Sequence, residues 1–408
     1  MMTKETFYGL GIAPNLLSVL DKMKFTVPTP IQFKAIPIAV AGQDVMGIAQ
    51  TGTGKTLAFA IPMIQRLAQI GGRGLIIVPT RELALQVDEA YRTFSSIIGQ
   101  STVVIIGGAN MNNQVRALRK NPRIVIATPG RLMDHMRQRT VHLDNVKILV
   151  LDEADRMLDM GFAPQISTIL QSVPKERQTM LFSATMPPEI MRLATSYMKL
   201  PVSIEIAKSG TAAEKVVQEL FIVRGEDKKK LLEKILYQYH GSVLLFCRTK
   251  HGATKITRSI KELGHMVAEI HSNRSFSQRR EAMEGFKSGK YRILVATDIA
   301  ARGIDVSGIE LVINYDLPDD ANNYVHRIGR TGRAGHEGRA ISFARPEQGG
   351  DVKSIEKLMR AVLPVSKHPD IPSSEFFGGH AVKPHPTGFA YRGIRRRSSS
   401  PRSFRRRR

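Results

Sequence analysis

Short apolar runs alternate with amphipathic segments along most of the chain. The runs are four or five residues long and rich in Val, Ile and Leu, which is typical of strands buried on both faces of a parallel sheet. In the first half they predict strands at 45–49, 74–78, 103–106, 124–127, 147–151 and 179–182. In the second half they predict strands at 242–246, 266–270, 292–296, 311–315 and 340–343. The pattern therefore predicts two α/β halves.

Two segments interrupt this pattern. Residues 207–216 are small and polar, and predict a flexible linker between the halves. After about residue 364 the pattern fades, and residues 392–408 alternate arginines with serines, which predicts disorder. Phe389, Tyr391 and Phe404 lie among or near these arginines and favour contact with nucleic acid. Solubility and partner recruitment are alternative roles for this tail.

Charge and composition narrow the class of protein. The net charge is +24, of which ten positive charges lie in the last 26 residues, so +14 remains elsewhere. This excess predicts a polyanion, and nucleic acid rather than a membrane, because no amphipathic anchor accompanies it. We expect no transmembrane span, no signal peptide and a cytoplasmic protein. Cys247 is the single cysteine, so no internal disulfide or zinc site is expected.

The first predicted strand leads into the sequence Ala-Gln-Thr-Gly-Thr-Gly-Lys-Thr at residues 49–56, and a helical pattern follows. A strand, a glycine-rich turn ending in Gly-Lys-Thr and a helix are the context of a phosphate-binding loop. We expect Lys55 to reach the β- and γ-phosphates of a nucleotide and Thr56 to bind Mg²⁺. Ala49 departs from the general motif, which has glycine there.

Asp152 and Glu153 follow an apolar strand, 97 and 98 residues after Lys55. Ligands of open α/β sheets bind beyond the carboxyl ends of the strands, so this pair is expected to face the phosphate loop. We assign Asp152 to Mg²⁺, largely through water, and Glu153 to the attacking water. Residues 326–333, His-Arg-Ile-Gly-Arg-Thr-Gly-Arg, can supply positive charge to a departing phosphoryl group, so we predict a site completed across a cleft.

Taken together, the motifs resemble those of the DEAD-box RNA helicases over residues 7 to about 345. Residues 152–155, Asp-Glu-Ala-Asp, match the signature that names the family, and alanine at position 49 is usual there. The resemblance implies two tandem RecA-like domains with parallel sheets. Its divisions are a Q-motif region at 1–32, an ATP-binding domain at 33–206, a linker at 207–216, a helicase C-terminal domain at 217–364 and a disordered basic tail at 365–408. The chain is most similar to the bacterial RhlE-type branch.

The resemblance also implies ATP and Mg²⁺ as cofactors and gives roles to individual residues. ATP binding is implied for Phe25, Gln32, Ala49, Gln50, Thr51, Gly52, Thr53, Gly54, Lys55, Thr56 and Asp305. Catalysis is implied for Lys55, Asp152, Glu153, Arg330 and Arg333, and metal binding for Thr56 and Asp152. Coupling of ATP state to RNA is implied for Asp155, Ser183, Ala184, Thr185 and His326. RNA binding is implied for Pro79, Thr80, Arg81, Gly107, Gly108, Thr128, Pro129, Gly130, Arg131, Arg248, Thr249, Arg279, Thr297, Arg302 and Gly303.

The implied function is RNA-stimulated ATP hydrolysis that unwinds short duplexes or remodels RNA–protein complexes with little sequence preference. Ribosomal precursors and the RNA-decay machinery are candidate partners. An ATP-gated RNA clamp that acts by recruitment is an alternative, and a DNA helicase is a weaker one because no inserted domains separate the motifs. Phe276 stands where the family has glutamine, which predicts altered RNA affinity in the second half. Lys24 stands where the Q motif often has glycine, and little consequence is expected.

Overall fold

The computed structural model describes residues 6–50, 52–206, 216–298, 309–332 and 338–377. In the first domain, parallel strands form one sheet: β1 Val45–Ile48, β2 Arg73–Ile77, β3 Thr102–Ile105, β4 Ile124–Ala127, β5 Val146–Asp152, β6 Gln178–Ser183 and β7 Val202–Glu205. The helices that accompany them are α1 Pro14–Lys22, α2 Pro30–Val40, α3 Lys55–Ile70, α4 Arg81–Ile98, α5 Met111–Arg119, α6 Pro129–Arg137, α7 Ala154–Asp159, α8 Ala163–Ser172 and α9 Pro188–Tyr197.

The strand order of this sheet brings the sequence motifs together. The order is β3-β4-β2-β5-β6-β1-β7, so β6 lies between β5 and β1. Ile48 at the end of β1 pairs with Ser183, and Asp152 at the end of β5 pairs with Phe182. Since all these strands run parallel, the segments that follow β1, β5 and β6 share one edge of the sheet.

A second parallel sheet belongs to the second domain, with the order β10-β11-β9-β12-β13-β8. Its strands are β8 Val216–Ile222, β9 Val243–Phe246, β10 Val267–Ile270, β11 Ile293–Ala296, β12 Leu311–Asn314 and β13 Gly338–Ala344. Its helices are α10 Lys228–Gln238, α11 Lys250–Glu262, α12 Phe276–Lys287, α13 Ala321–Ile328 and α14 Gly349–Met359. Each domain has a separate apolar core on either face of its sheet, which explains why the strands are apolar throughout.

The prediction of two α/β domains with parallel sheets is confirmed, and every strand predicted from an apolar run is present with its ends shifted by at most two residues. Two strands were missed, β7 and β8. Both lie at the edge of a sheet: β7 has one buried position of four, and in β8 the exposed or half-buried positions 217–219 interrupt the buried ones, so neither is a continuous apolar run. Val216, assigned to the linker from the sequence, begins β8, while the other linker residues lie outside the described part of the chain.

The ends of the described chain are packed on the two domains. Phe7, Leu16 and Ile31 from the N-terminal region are buried in the same core as α3. At the other end, the backbone N–H of Ser366 donates to Leu220 O (2.8 Å) and that of Ser374 to Ile222 O (3.0 Å).

The segment from 364 to 377 therefore packs on the second domain, bonded to β8 at residues 364–366 and 374, and the predicted start of a disordered tail at residue 365 is too early. The physical reason is that an edge strand offers unpaired backbone groups that a following segment can satisfy. Residues 378–408, which carry most of the predicted tail, lie outside the described part. Within the described residues, no helix is long and apolar enough to cross a bilayer.

Candidate active site

The phosphate loop connects β1 to α3. Gly52 and Gly54 have φ angles of +82° and +88°, which residues with a side chain rarely adopt. Lys55 begins α3, is buried, and donates through Nζ to Ala49 O (2.8 Å). Thr53 Oγ1 donates to Gln50 O (2.6 Å), which closes the turn, and Thr56 follows half-buried in the first turn of α3. The loop thus precedes a helix N-terminus, where unpaired backbone N–H groups favour an anion.

Gln32 links the N-terminal region to this loop. Its Oε1 accepts from the Thr29 N–H (2.9 Å) and its Nε2 donates to Gly54 O (3.0 Å). A Cβ atom at position 54 would collide with the Gln32 amide, so glycine is required there for a second reason. Phe25, which the resemblance places beside the nucleotide base, is exposed.

Asp152 and Glu153 are both buried at the end of β5, but their ionisation differs. Burial raises the pKa of Asp152 to about 6, although the Lys55 charge opposes this shift. Burial also acts to raise the pKa of Glu153, but the charges of Arg156, Lys55 and Arg330 outweigh it and hold that pKa at about 2. Glu153 is therefore ionised at neutral pH, and it forms an ion pair with Arg156.

Asp155 joins the end of β5 to the segment after β6. One carboxylate oxygen, Oδ2, accepts from the Ala184 N–H (3.1 Å), the Thr185 N–H (2.8 Å) and Thr185 Oγ1 (2.8 Å). The Asp155 N–H in turn donates to Ser183 Oγ (3.2 Å). These residues, predicted separately from two motifs, form one hydrogen-bonded unit, so a shift of either segment changes the other.

Residues of both domains line a cleft of about 110 Å³ at this edge. The first domain contributes Glu153, Asp155, Arg156 and Thr185 among others, and the second contributes Asp320, Asn322, His326 and Arg330 among others. Arg330 is buried and lowers the pKa of Glu153 across the cleft. The structure thus brings a carboxylate of one domain and a guanidinium of the other to the same space.

The arginines of residues 326–333 do not share one environment. Arg327 is buried in the second domain and donates to both carboxylate oxygens of Asp298 (2.6 and 2.7 Å) and to Asp316 O (2.6 Å). Its guanidinium also lies 4.9 Å from the centre of the Phe246 ring. Arg327 is therefore part of the domain's framework, while Arg330 lines the cleft.

A separate open groove of about 480 Å³ collects most of the first-domain residues predicted to bind RNA. It is lined by Pro79, Thr80, Arg81, Glu82, Gly107, Gly108, Thr128, Gly130, Arg131, Asp134, Met160, Phe162 and Arg279, and we call it the arginine groove. Burial first, and then the charges of Arg279 and Arg131, lower the pKa of Arg81. These three guanidinium groups are close enough to repel one another, so their combined positive charge favours binding of a polyanion in the groove. Pro129, also predicted to bind RNA, is buried at the start of α6.

Arg279 comes from the second domain and forms an ion pair with Glu82 of the first. Phe276, three residues earlier at the start of α12, packs against the first domain's core. Gln278 accepts from the Ser275 N–H (2.9 Å) and caps α12, so it does not replace the glutamine that the family has at position 276. The departure at position 276 thus places an apolar contact between the domains.

Other predicted residues lie apart from the cleft and the arginine groove. The Arg248 N–H donates to Asp316 Oδ2 (3.1 Å), Thr249 caps α11, and the Thr297 N–H donates to Ile270 O (3.3 Å). Thr51, Arg302, Gly303, Asp305 and Arg333 lie outside the described residues.

The sequence analysis did not identify Arg156, and it covered Glu82 and Asp298 only as members of longer motifs, without their ion-pair partners. Arg156 lies three residues after Glu153, the spacing of a helical ion pair, and could have been found. Glu82 and Arg279 are 197 residues apart, so no local signal joins them.

Comparison with known proteins agrees with this geometry. Family profiles for "DEAD/DEAH box helicase" and "Helicase conserved C-terminal domain" match residues 29–193 and 227–335. The ATP-dependent RNA helicase CshA of Listeria monocytogenes is 45% identical over 365 residues, which cover 88% of this chain and 69% of that protein. The ATP-dependent rRNA helicase RRP3 of Debaryomyces hansenii is 41% identical over 369 residues, covering 90% and 77%.

Among solved structures, S. cerevisiae Dbp5 bound to RNA and ADP BeF3 matches with a TM-score of 0.81 at 30% identity, covering 90% of this chain and 96% of that one. The two-domain fold, the phosphate loop, the Asp-Glu-Ala-Asp segment and these likenesses lead to one conclusion. The chain belongs to the DEAD-box family of ATP-dependent RNA helicases.

Proposed function

We propose that this chain couples ATP hydrolysis to closure of its two domains, and that closure opens short RNA duplexes locally or remodels RNA–protein complexes. The observation that carries this proposal is the cleft shared by Glu153 and Thr185 of the first domain with His326 and Arg330 of the second. A nucleotide bound at the phosphate loop would meet these groups only when the domains are closed, so hydrolysis and closure depend on each other.

The described residues fit ATP with Mg²⁺. Asp152 is buried next to Glu153, and burial raises its pKa to about 6 because Lys55 alone does not supply enough positive charge to offset the loss of solvation. A divalent cation supplies that charge and polarises the phosphoryl group. We assign Thr56 and Asp152 to the metal, largely through water, and Lys55 to the phosphates.

The remaining catalytic roles follow from charge. Glu153, ionised at neutral pH, is suited to orient and accept a proton from the attacking water. Arg330, already close enough to act electrostatically on Glu153, is suited to stabilise charge that develops on the departing phosphoryl group. Asp155 with Thr185 is suited to transmit closure from the nucleotide to the RNA side.

RNA is proposed to lie in the arginine groove. Arg81, Arg131 and Arg279 line it, and glycines 107 and 108 let the backbone approach a ligand. Contacts of this kind favour backbone phosphates over bases, so little sequence preference and a steep salt dependence are expected. Action on ribosomal precursors or in RNA decay, and a cytoplasmic location, stay predictions.

The first experiment is ATP hydrolysis by the purified chain with no nucleic acid, with single-stranded RNA and with single-stranded DNA of the same sequence. We expect strong stimulation by RNA and little by DNA. Equal stimulation by DNA would contradict RNA specificity. No hydrolysis in any condition would contradict the catalytic roles and favour the ATP-gated clamp.

A further inference from the structure

A second basic cleft lies on the second domain, away from the nucleotide. It is lined by His251, Thr254, Lys255, Arg258, His271, Asn273 and Arg274, with a volume of about 640 Å³, and we call it the α11 cleft. None of these seven lining residues is acidic. Positions 251, 255 and 258 fall on one face of α11, while Ala253, Ile256 and Ile260 on its other face are buried in the core. Lys255 and Arg258 are exposed, so their charges are available to a ligand.

Buried polar side chains that contact one another form the floor of the α11 cleft. His271 is buried, and its Nε2 lies 3.1 Å from Glu269 Oε2 and 3.1 Å from Thr254 Oγ1. Glu269 is also buried and is ion-paired with Arg274. His271 Nδ1 has no hydrogen-bond partner among the described residues. A buried ring nitrogen without a partner, next to an open basic cleft, is a position that a ligand can complete.

The α11 cleft adjoins residues already assigned to RNA. Lys250, which follows Thr249, donates through Nζ to Asn273 Oδ1 in the cleft (2.9 Å). On the other side, Arg274 lies two residues before α12, whose first turn carries Arg279 into the arginine groove. The N-terminal end of α12 therefore connects a residue of the α11 cleft with a residue of the arginine groove.

We propose that the α11 cleft binds up to two backbone phosphates of the RNA strand, at Lys255 and Arg258, beyond the segment held in the arginine groove. Lys255 and Arg258 supply the fixed positive charge. His271, held through Nε2 by Glu269 and Thr254, forms the polar floor beneath them. This inference rests on the proposed RNA binding and adds a subsite to it.

The test uses the full chain with an ATP analogue and two single-stranded RNAs. The short RNA is the shortest one that fully stimulates ATP hydrolysis, and the long RNA has twice its length. The variant K255Q/R258Q removes two charges from the α11 cleft. The matched control K261Q/K287Q removes two exposed charges near the C-terminal ends of α11 and α12, at the opposite edge of the sheet.

We expect K255Q/R258Q to bind the short RNA and hydrolyse ATP with it normally, which also shows that the variant is folded. For the long RNA, the slope of log affinity against log salt should become shallower by up to about 1.4, because each lost phosphate contact removes about 0.7. That change corresponds to about a sevenfold smaller loss of affinity when salt is raised fourfold. The control should match the unmodified chain with both RNAs.

Three results would overturn the proposal. The first is an unchanged affinity and slope for the long RNA in K255Q/R258Q. The second is an equal change in the control, which would indicate general charge only. The third is binding of inorganic phosphate in the α11 cleft without competition with RNA. The long RNA would then keep its extra affinity over the short RNA when chloride is replaced by phosphate at equal ionic strength, which would indicate a site for free phosphate. Failure of the short RNA to stimulate hydrolysis would instead contradict the proposed function.

Discussion

The ion pair between Glu82 and Arg279 allows a sharp test of domain closure. Its side chains are 10% and 13% exposed, and each belongs to a different domain. Removing one partner of a buried pair typically costs about 3–5 kcal/mol when the other charge stays buried. Here the domains can separate and return both groups to water, so the loss is limited to the free energy that links closure to RNA binding. Such coupling is typically about 1–3 kcal/mol, or about 5–150-fold in affinity.

Glu82→Gln is the informative change because two explanations predict opposite results. If the ion pair stabilises the closed state, RNA affinity measured by fluorescence anisotropy with an ATP analogue should fall about 5–150-fold. If Glu82 acts only as a negative charge among Arg81 and Arg131, its removal should strengthen RNA binding. Affinity without nucleotide should not fall, because the open state lacks the pair.

A double-mutant cycle completes this test. In Glu82→Gln/Arg279→Gln the loss of affinity should be smaller than the sum of the two single losses, because the shared ion pair is lost only once, while Arg279→Gln also removes a guanidinium of the arginine groove. Glu89→Gln is the matched control, because Glu89 is exposed on the same helix and loses the same charge. Additive effects of the two substitutions, or tighter RNA binding by Glu82→Gln with the analogue, would refute the role of the ion pair in closure.

Four further predictions concern catalysis, ionisation, stability and the tail. Glu153→Gln should lower ATP turnover about 10²–10⁴-fold and trap the complex with ATP and RNA; normal steady-state hydrolysis would contradict its role as base. Because burial raises the folded-state pKa of Asp152 to about 6, the folded chain binds this proton more tightly than the unfolded chain, and stability falls as pH rises through 6. Urea unfolding at pH 5 and 8 should therefore show a smaller decline in Asp152→Asn, and an equal decline would contradict this. Arg327→Gln should destabilise the second domain by about 3–5 kcal/mol, measured by urea unfolding, because it leaves Asp298 unpaired; a loss under about 1 kcal/mol would contradict a framework role. Deleting residues 388–408 should weaken RNA binding and flatten its salt slope while saturated ATP turnover stays normal, and an unchanged slope would exclude that role.

The sequence by itself determined the features that are local along the chain. Strands buried on both faces are continuous apolar runs, so β1 and β5 could be predicted without the fold. The phosphate loop and the Asp-Glu-Ala-Asp segment each occupy a few consecutive residues, and a parallel sheet places both at one edge. The family follows from those motifs, while the RhlE-type branch stays a prediction.

Only the tertiary structure decided which side chains meet across long separations. Arg327 and Arg330 look alike in the sequence, yet one is paired with Asp298 inside the domain and the other lines the cleft. The pairing of Glu82 with Arg279 and the α11 cleft depend on packing between elements that no local pattern encodes. Strands β7 and β8 and the segment after residue 364 were missed for the same physical reason. Each is held in place by backbone hydrogen bonds to a neighbouring strand, and none of them has a continuous apolar pattern of its own.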